Sequence, residues 1–235
     1  VSSRRAKSYV FDQIHREKLL FPPGSGSLYS DLGFIFLAEI VEEIMGQTLD
    51  RYCQEKIYGP LGLKATFFFD ITQLWMRRAR TGHENIAPAE NCPWRKEILC
   101  GEVHDDNAYA MGGVAGHAGL FSSARDIRCL LLRLRSCYEG RDSFLPAQVV
   151  QEFFTRDGSV EGATPALGWD TPASHDSSSG SRFSPQSVGH LGFTGTSIWW
   201  DLEKDCQIIL LTNRIHPSRN NEKIKEFRPY IHDLI

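Results

Sequence analysis

The sequence predicts a mixed α/β fold of the α+β type, in which an antiparallel β-sheet is flanked by helices. Apolar residues recur at helical spacing over 32–45. Two β-rich runs, 193–201 and 206–212, flank a short polar turn, which predicts an antiparallel hairpin. The 235 residues are enough for one sizeable core but few for two. We therefore expect a single domain over 1–235.

Helices in the first part of the chain are predicted from periodicity and capping residues. A surface helix is expected over 4–18, before a turn rich in proline and glycine. The helix over 32–45 should be largely buried, and Gly46 follows as its C-cap. Thr48 caps a further helix that runs through about residue 56 and ends at the Gly-Pro-Leu-Gly segment after it.

The middle of the chain loses its periodicity over 69–119. Such a long irregular stretch inside a compact domain is usually functional, so we expect it to form part of the wall of a binding site. Ser123, with an acidic residue three positions later, predicts the start of a helix, and Pro146 predicts the first turn of another. The segment 171–187 is rich in serine and glycine and is expected to be a mobile surface excursion.

Charge, hydropathy and cysteine spacing exclude several classes of protein. The net charge of −3 and the scattered basic residues argue against a nucleic-acid partner. No apolar run approaches the roughly 20 residues needed to span a bilayer, and the first residues lack the apolar core of a secretory signal. The six cysteines lie far apart, which suits reduced thiols. We expect a cytoplasmic rather than a periplasmic protein, with no membrane span.

Four short motifs are spread in order over nearly the whole chain. They are Tyr-Ser-Asp at 29–31, a glycine-rich stretch at 110–122, Gly-His-Leu-Gly-Phe-Thr-Gly-Thr at 189–196, and the strand exit and loop at 211–219. As an ordered set they resemble the motifs of serine β-lactamase-like hydrolases, a superfamily that includes class C β-lactamases, family VIII esterases and penicillin-binding proteins. The first and third correspond to the family's second and third active-site motifs.

The resemblance implies a reaction that needs neither a metal nor a cofactor. A serine attacks an ester or amide carbonyl and forms an acyl-enzyme, and a lysine lies one helical turn after it. Tyr29 would act as general base and acid. Asp31 stands where the family usually has asparagine; it can accept hydrogen bonds and support the site, but it donates none unless protonated. These two residues and His190 are the expected catalytic residues.

The resemblance also implies where a substrate binds. The oxyanion would lie between two backbone N–H groups, one of the serine and one of the residue after the third motif's glycine. Histidine replaces the usual lysine of that motif and is mostly neutral at pH 7, which favours esters or small peptides over β-lactams. The expected substrate edge consists of His190, Gly192, Phe193 and Thr194, and the residues expected near a substrate carboxylate are Arg214 and Arg219.

The nucleophile's motif, Ser-x-x-Lys, is missing from the 235 residues, because none of the eight lysines has a serine three positions before it. Cys53 and Lys56 imitate the spacing, but within a predicted helix where the family has only packing. We therefore expect the fold to be incomplete at its N-terminus, with an upstream segment or another chain supplying the serine and completing the sheet. This chain alone should be inactive. The rival interpretation is a non-catalytic binding or scaffolding module, for which the missing motif and Asp31 both argue.

Other polar and aromatic residues carry two open interpretations. The side chains at 104–106 and His117 could bind a metal, but no His-x-His spacing supports this, and a polar loop wall hydrogen-bonded to its own backbone is the favoured interpretation. Trp199 and Trp200 are adjacent in a strand and face opposite ways, so one is expected in the core while the other could line a surface or cleft.

Overall fold

The computed structural model describes residues 3–73, 85–160 and 165–235. They form two compact units. Leu28–Asp126 with the segment up to Pro22 forms the first unit, and Ile127–Ile235 with Pro23–Ser27 forms the second. Helices and antiparallel strands occur together, which confirms the predicted fold class. A single continuous domain over 1–235 stays a prediction.

Helices α1 and α2 of the first unit begin at serines whose side chains cap them, whereas the Thr48 side chain makes no capping hydrogen bond. Helix α1, Arg4–Ile14, begins where the Ser3 hydroxyl accepts a hydrogen bond from the Ala6 N–H at 3.1 Å, and it ends four residues before the predicted end. Helix α2, Asp31–Met45, follows the N-cap Ser30 and ends at Gly46, whose φ is 63°. The remaining helical segments are α3 (Leu49–Cys53), a π-helical turn (Gln54–Tyr58) and α4 (Gly59–Leu61).

Helix α2 is less buried than its sequence predicts. Ile35 and Ala38 are its buried residues, and Ile35 packs in a core cluster with Val103, Ala108, Met111 and Ala115. Apolar residues also cover the other sides of the helix, where Leu37 is 57% and Ile44 is 75% exposed. The prediction of a largely buried helix was therefore wrong for the part of the chain that the structure describes, because only one side of α2 meets a packing partner there.

The irregular stretch is held together by short strands and close backbone contacts. Strand β1 (Phe67–Phe68) pairs with β4 (Leu120–Phe121), and β2 (Asn91–Cys92) pairs with β3 (Glu97–Ile98). A Cβ at Gly113 would lie 2.3 Å from the Phe69 carbonyl oxygen, and one at Gly116 would lie 2.0 Å from that of Phe34. These glycines permit close packing. Helix α5 is Asp106–Ala110.

The second unit contains the predicted hairpin inside a three-stranded sheet. Its strands β5 (Val188–Leu191), β6 (Ser197–Asp201) and β7 (Cys206–Leu210) are antiparallel and lie in that order. The hairpin is confirmed, although β6 begins at Ser197 because the preceding residues form a turn. Residues from α6 (Ala124–Tyr138), α7 (Ala147–Phe153) and α8 (Ile224–Leu234) pack in the same unit.

Both faces of this sheet are covered, which corrects the prediction that one of its tryptophans could line a surface or cleft. Trp199 and Trp200 are both buried, at 1% and 2% exposure, so neither lines a surface or cleft of the second unit. Trp200 packs with Phe154 and Val188, whereas Trp199 faces the Phe183 ring at 5.9 Å. The segment 171–187 was predicted to be a mobile surface excursion; it is not wholly at the surface, because Thr171, Ser179, Ser184 and Ser187 are buried, and its mobility stays a prediction.

The described residues contain neither a membrane-spanning helix nor a metal-binding cluster. None of the described helices combines the length and the apolar character needed to cross a bilayer. Within residues 3–73, 85–160 and 165–235, no group of three or more His, Cys, Asp or Glu side chains is arranged to bind a metal ion. All six cysteines are free thiols.

Candidate active site

Tyr29 and Asp31 lie at the start of α2 in the first unit. Ser30 is the N-cap, and its hydroxyl accepts a hydrogen bond from the Leu32 N–H at 3.2 Å. Tyr29, one position before the cap, places its ring 5.9 Å from that of Phe34, the fourth helical residue. This N′–N4 contact is a hydrophobic staple, which fixes the direction in which the chain enters the helix.

The same helix start determines the chemistry that these two side chains can perform. Tyr29 is 62% exposed, so the staple holds the ring without burying the phenol. Asp31 is the first residue of α2, where the partial positive charge of the helix terminus favours a carboxylate. The position at the helix start therefore favours an aspartate at residue 31, where the family usually has asparagine. Their catalytic roles stay predictions.

The third motif forms the end of β5 and the turn that follows it, 192–196, here called the motif-three turn. The Gly192 N–H donates to the Thr196 carbonyl at 2.8 Å, and the Gly195 N–H donates to the Gly192 carbonyl at 3.1 Å. Gly195 has φ 118°, a conformation that favours glycine. The turn therefore closes on itself before it enters β6.

Each of the five carbonyl oxygens of the motif-three turn accepts a hydrogen bond from outside the turn. The donors come from the strand exit after β7 and from α8. Gly192 and Thr196 accept from Arg228 Nη2 at 2.6 and 2.8 Å, Phe193 from Arg214 Nε at 2.8 Å, Thr194 from the Arg214 N–H at 2.9 Å, and Gly195 from Thr212 Oγ1 at 2.6 Å. The backbone of this turn is therefore held in one orientation along its whole length.

The Arg214 side chain binds backbone carbonyls and an aromatic ring of the second unit. Its guanidinium lies 4.2 Å from the centre of the Phe193 ring. Nη1 also donates to the carbonyls of Arg219 and Asn221, at 2.7 and 2.9 Å. Two of its hydrogen bonds, from Nε to Phe193 and from the backbone N–H to Thr194, thus connect the loop after β7 to the motif-three turn, and the two from Nη1 hold that loop together. Binding of a substrate carboxylate by Arg214 and Arg219 stays a prediction.

His190 lies in β5 opposite Ile198, and its Nδ1 is 3.0 Å from the Leu191 carbonyl oxygen. An acid that the sequence did not suggest lies nearby. The Asp170 backbone exchanges two hydrogen bonds with Gly189, at 2.7 and 2.9 Å. Burial raises the pKa of the Asp170 carboxyl, and its electrostatic interaction with His190 acts in the opposite direction. Nothing in the sequence indicated this pair, because the two residues are 20 positions apart.

The structure also decides between the interpretations of the remaining polar residues. Burial raises the pKa of the Cys53 thiol, so it remains protonated at neutral pH and is not activated as a nucleophile. His104 Nε2 lies 3.0 Å from Glu90 Oε2, and His117 Nε2 lies 2.9 Å from Asp105 Oδ1. These side chains are hydrogen-bonded, but the prediction of a wall bonded to its own backbone was wrong for the two histidines, whose partners are carboxylates; Asp105 does accept from the Ala108 N–H at 2.7 Å.

Comparison with known proteins identifies the family. A family model described as "Beta-lactamase" matches residues 3–228. The chain belongs to the β-lactamase family. A relative from Escherichia coli K12, named "Putative D-alanyl-D-alanine carboxypeptidase", is 37% identical over 219 residues, which is 89% of this chain and 50% of the relative. The chain thus spans about half the length of the curated relatives that it matches.

Solved structures of this family share the fold. A penicillin-binding protein from Bacillus halodurans superposes with a TM-score of 0.67 at 16% identity, covering 100% of this chain and 64% of that protein. A β-lactamase from Mycobacterium bovis gives a TM-score of 0.62 at 22% identity, covering 92% and 66%. The resemblance carried by the four motifs is confirmed. The family and the names of the relatives point in general to a hydrolase of the β-lactamase and peptidase type.

Proposed function

We propose that the complete protein is a serine hydrolase that cleaves small peptides ending in D-alanyl-D-alanine, or related esters, through an acyl-enzyme. The observation that carries the proposal is the motif-three turn, all five of whose carbonyls accept hydrogen bonds. A preorganised backbone N–H is worth far more to an oxyanion than a flexible one, because it costs no reorganisation during the reaction. The D-alanyl-D-alanine preference is drawn from the name of the Escherichia coli relative.

Each residue has a role in the proposed reaction. Tyr29 accepts the proton of the serine hydroxyl as the Oγ–carbon bond forms, and it returns that proton to the leaving amine or alcohol. The Phe193 N–H donates to the oxyanion, together with the N–H of the serine. His190 lines the substrate edge, and Asp31 supports the start of α2. Water then attacks the acyl-enzyme carbonyl and releases the serine.

A further polypeptide segment is part of this proposal. It carries the Ser-x-x-Lys motif that these 235 residues lack, and it covers the apolar side of α2. Leu37 and Ile44 on that side are more than half exposed, and Leu32 and Phe36 are 45% and 41% exposed. A patch of this kind on one helix is typical of an interface. Relatives about twice as long as this chain contain enough sequence to form the other side of such an interface.

The test uses the complete gene product and a fluorescent penicillin or fluorophosphonate, which label only an activated serine. Release of D-alanine from an acyl-D-alanyl-D-alanine peptide then measures turnover. Tyr29→Phe is expected to lower turnover by about 10²- to 10⁴-fold, the usual contribution of a general acid or base. Tyr230→Phe is the matched control, since Tyr230 is also 62% exposed and lies on α8. Equal turnover in the two variants would remove Tyr29 from the mechanism.

A second candidate function is a non-catalytic binding module of the same fold. Asp31 favours it, because an ionised carboxylate cannot donate the hydrogen bond that an asparagine amide supplies. Absence of labelling and of D-alanine release in a complete protein would support this candidate. Recovery of labelling in an Asp31→Asn variant would instead indicate that the acid suppresses an otherwise competent site.

A further inference from the structure

Arg228 lies on the buried side of α8, in a stripe with Ile224 and His232. It is 8% exposed. Among the described residues no carboxylate forms an ion pair with it, and its Nε has no hydrogen-bond partner there. Burial, together with the charge of Arg214, lowers the pKa of the Arg228 guanidinium. A buried cation without an anionic partner is costly, and such costs concentrate at functional sites.

The hydrogen bonds of Arg228 offset this cost in a particular place. Nη2 donates to the carbonyls of Gly192 and Thr196, the first and last residues of the motif-three turn. A peptide unit is planar and trans, so its C=O and the following N–H point in opposite directions. The bond to the Gly192 carbonyl therefore fixes the direction of the Phe193 N–H. The bond to Thr196 holds the other end of the same turn.

We propose that Arg228 is a positioning residue of the active site: it holds the peptide between Gly192 and Phe193 so that the Phe193 N–H is directed at the oxyanion. This inference rests on the proposed function, in which that N–H is one of the two oxyanion donors. Arg228 itself does not touch the substrate. Its contribution is the preorganisation that makes a backbone donor effective.

Arginine suits this task better than other donors. One planar guanidinium nitrogen carries two N–H groups in fixed directions, and here both are used on carbonyls of one turn. A lysine ammonium is a compact, strongly hydrated charge on a flexible chain, so it would hold the same two oxygens less firmly. Methionine has a comparable length and no donor. The series Arg, Lys and Met at position 228 therefore removes the hydrogen bonds in steps while it keeps a long side chain.

The experiment compares Arg228→Lys and Arg228→Met in the complete protein. Acylation kinetics with one ester substrate give kcat and KM, and a boronic acid that forms a tetrahedral adduct with the serine reports binding in the oxyanion site. We expect kcat and boronate affinity to fall together, by roughly 10- to 100-fold in Arg228→Met, with KM nearly unchanged; losing an oxyanion donor outright costs about 10²- to 10³-fold. Arg228→Lys should lie between the wild type and Arg228→Met.

Two further measurements make the outcome decisive. Lys225→Met removes a cation from an exposed side chain of the same helix and should leave kcat and boronate affinity unchanged. A crystal structure of Arg228→Met should show the Gly192–Phe193 peptide rotated. A folded Arg228→Met protein with wild-type kcat, or with that peptide unmoved, would overturn the inference. If the wild type is never acylated, the proposed function fails, and the peptide orientation alone decides whether Arg228 positions it.

Discussion

Replacing Gly189 by alanine is expected to destabilise the sheet of the second unit. Gly189 lies in β5, one residue before His190, and pairs with Trp199 across the sheet. A Cβ at this position would lie 2.3 and 2.4 Å from Cδ2 and Cε3 of the Trp199 ring, and 2.6 Å from the Ile198 carbonyl oxygen. The indole is 1% exposed and cannot move aside without disturbing the core.

The size of the effect follows from these distances. Carbon atoms in contact are normally about 3.5 Å apart, so the ring or the strand must give way by about 1.2 Å. Overpacking of this kind typically costs about 1 to 3 kcal/mol. Alanine recovers roughly 0.5 to 1 kcal/mol of the entropy that glycine loses in a strand. With both a ring and a backbone carbonyl in the way, we expect a net loss of about 2 kcal/mol, which would lower the Tm of a domain of about 150 to 250 residues by about 4 to 8 °C.

The assay is urea and thermal unfolding of the complete protein. Gly158→Ala is the matched control, because a Cβ added to Gly158 would meet no atom within 4 Å and the φ of this residue is outside the left-handed region. It should change stability by less than about 0.5 kcal/mol. Combining Gly189→Ala with Trp199→Leu should cost less than the sum of the two single changes. A Gly189→Ala protein as stable as wild type would refute the reasoning.

Three further predictions concern buried polar groups. Asp201→Asn should lower the unfolding free energy by about 2 to 4 kcal/mol, since Asp201 accepts four hydrogen bonds. Burial alone would raise the pKa of the Asp201 carboxyl, but the hydrogen bonds together lower it more, so its net pKa lies below the usual value. The stabilisation should therefore disappear as the pH falls below about 3.9. Burial lowers the pKa of His232; unfolding free energy should therefore fall as the pH drops below about 6.5, and His232→Gln should flatten that slope at constant urea. Asp126→Ala leaves the Ala65 N–H and Thr66 hydroxyl without their acceptor and should cost about 1 to 3 kcal/mol in urea unfolding.

Local sequence signals predicted where helices and strands occur better than they predicted what packs around those elements. The N-cap and the glycine after α2 are predictable because capping depends on a few neighbouring residues. The polar turn between β6 and β7 is predictable for the same reason. Burial is different, because it depends on what packs against each side. Helix α2 is apolar on several sides, but one of its apolar sides stays exposed within the described residues. Both tryptophans of β6, in contrast, are buried.

The candidate site shows the same division. The third motif is visible in the sequence because its glycines and histidine are contiguous. The groups that hold it come from Thr212, Arg214 and Arg228, which lie up to 36 positions after Gly192. Thr212 and Arg214 fall in the 211–219 motif, but nothing in the sequence marks Arg228, since an arginine on an amphipathic helix normally indicates a solvated face. Here the buried stripe of α8 contains the arginine, whereas Tyr230 is 62% exposed.

The motif-three turn therefore depends on α8 as well as on its own five residues, 192–196. A helix that placed Tyr230 inward would bury more apolar area and gain stability from it. Burying Arg228 instead gives up part of that gain and leaves one N–H of the guanidinium without an acceptor within the described part of the chain. The buried Arg228 instead holds the backbone of the motif-three turn in a fixed conformation. This arrangement fits the proposed function, in which the oxyanion donor is a peptide N–H and so has no side chain by which it could otherwise be held.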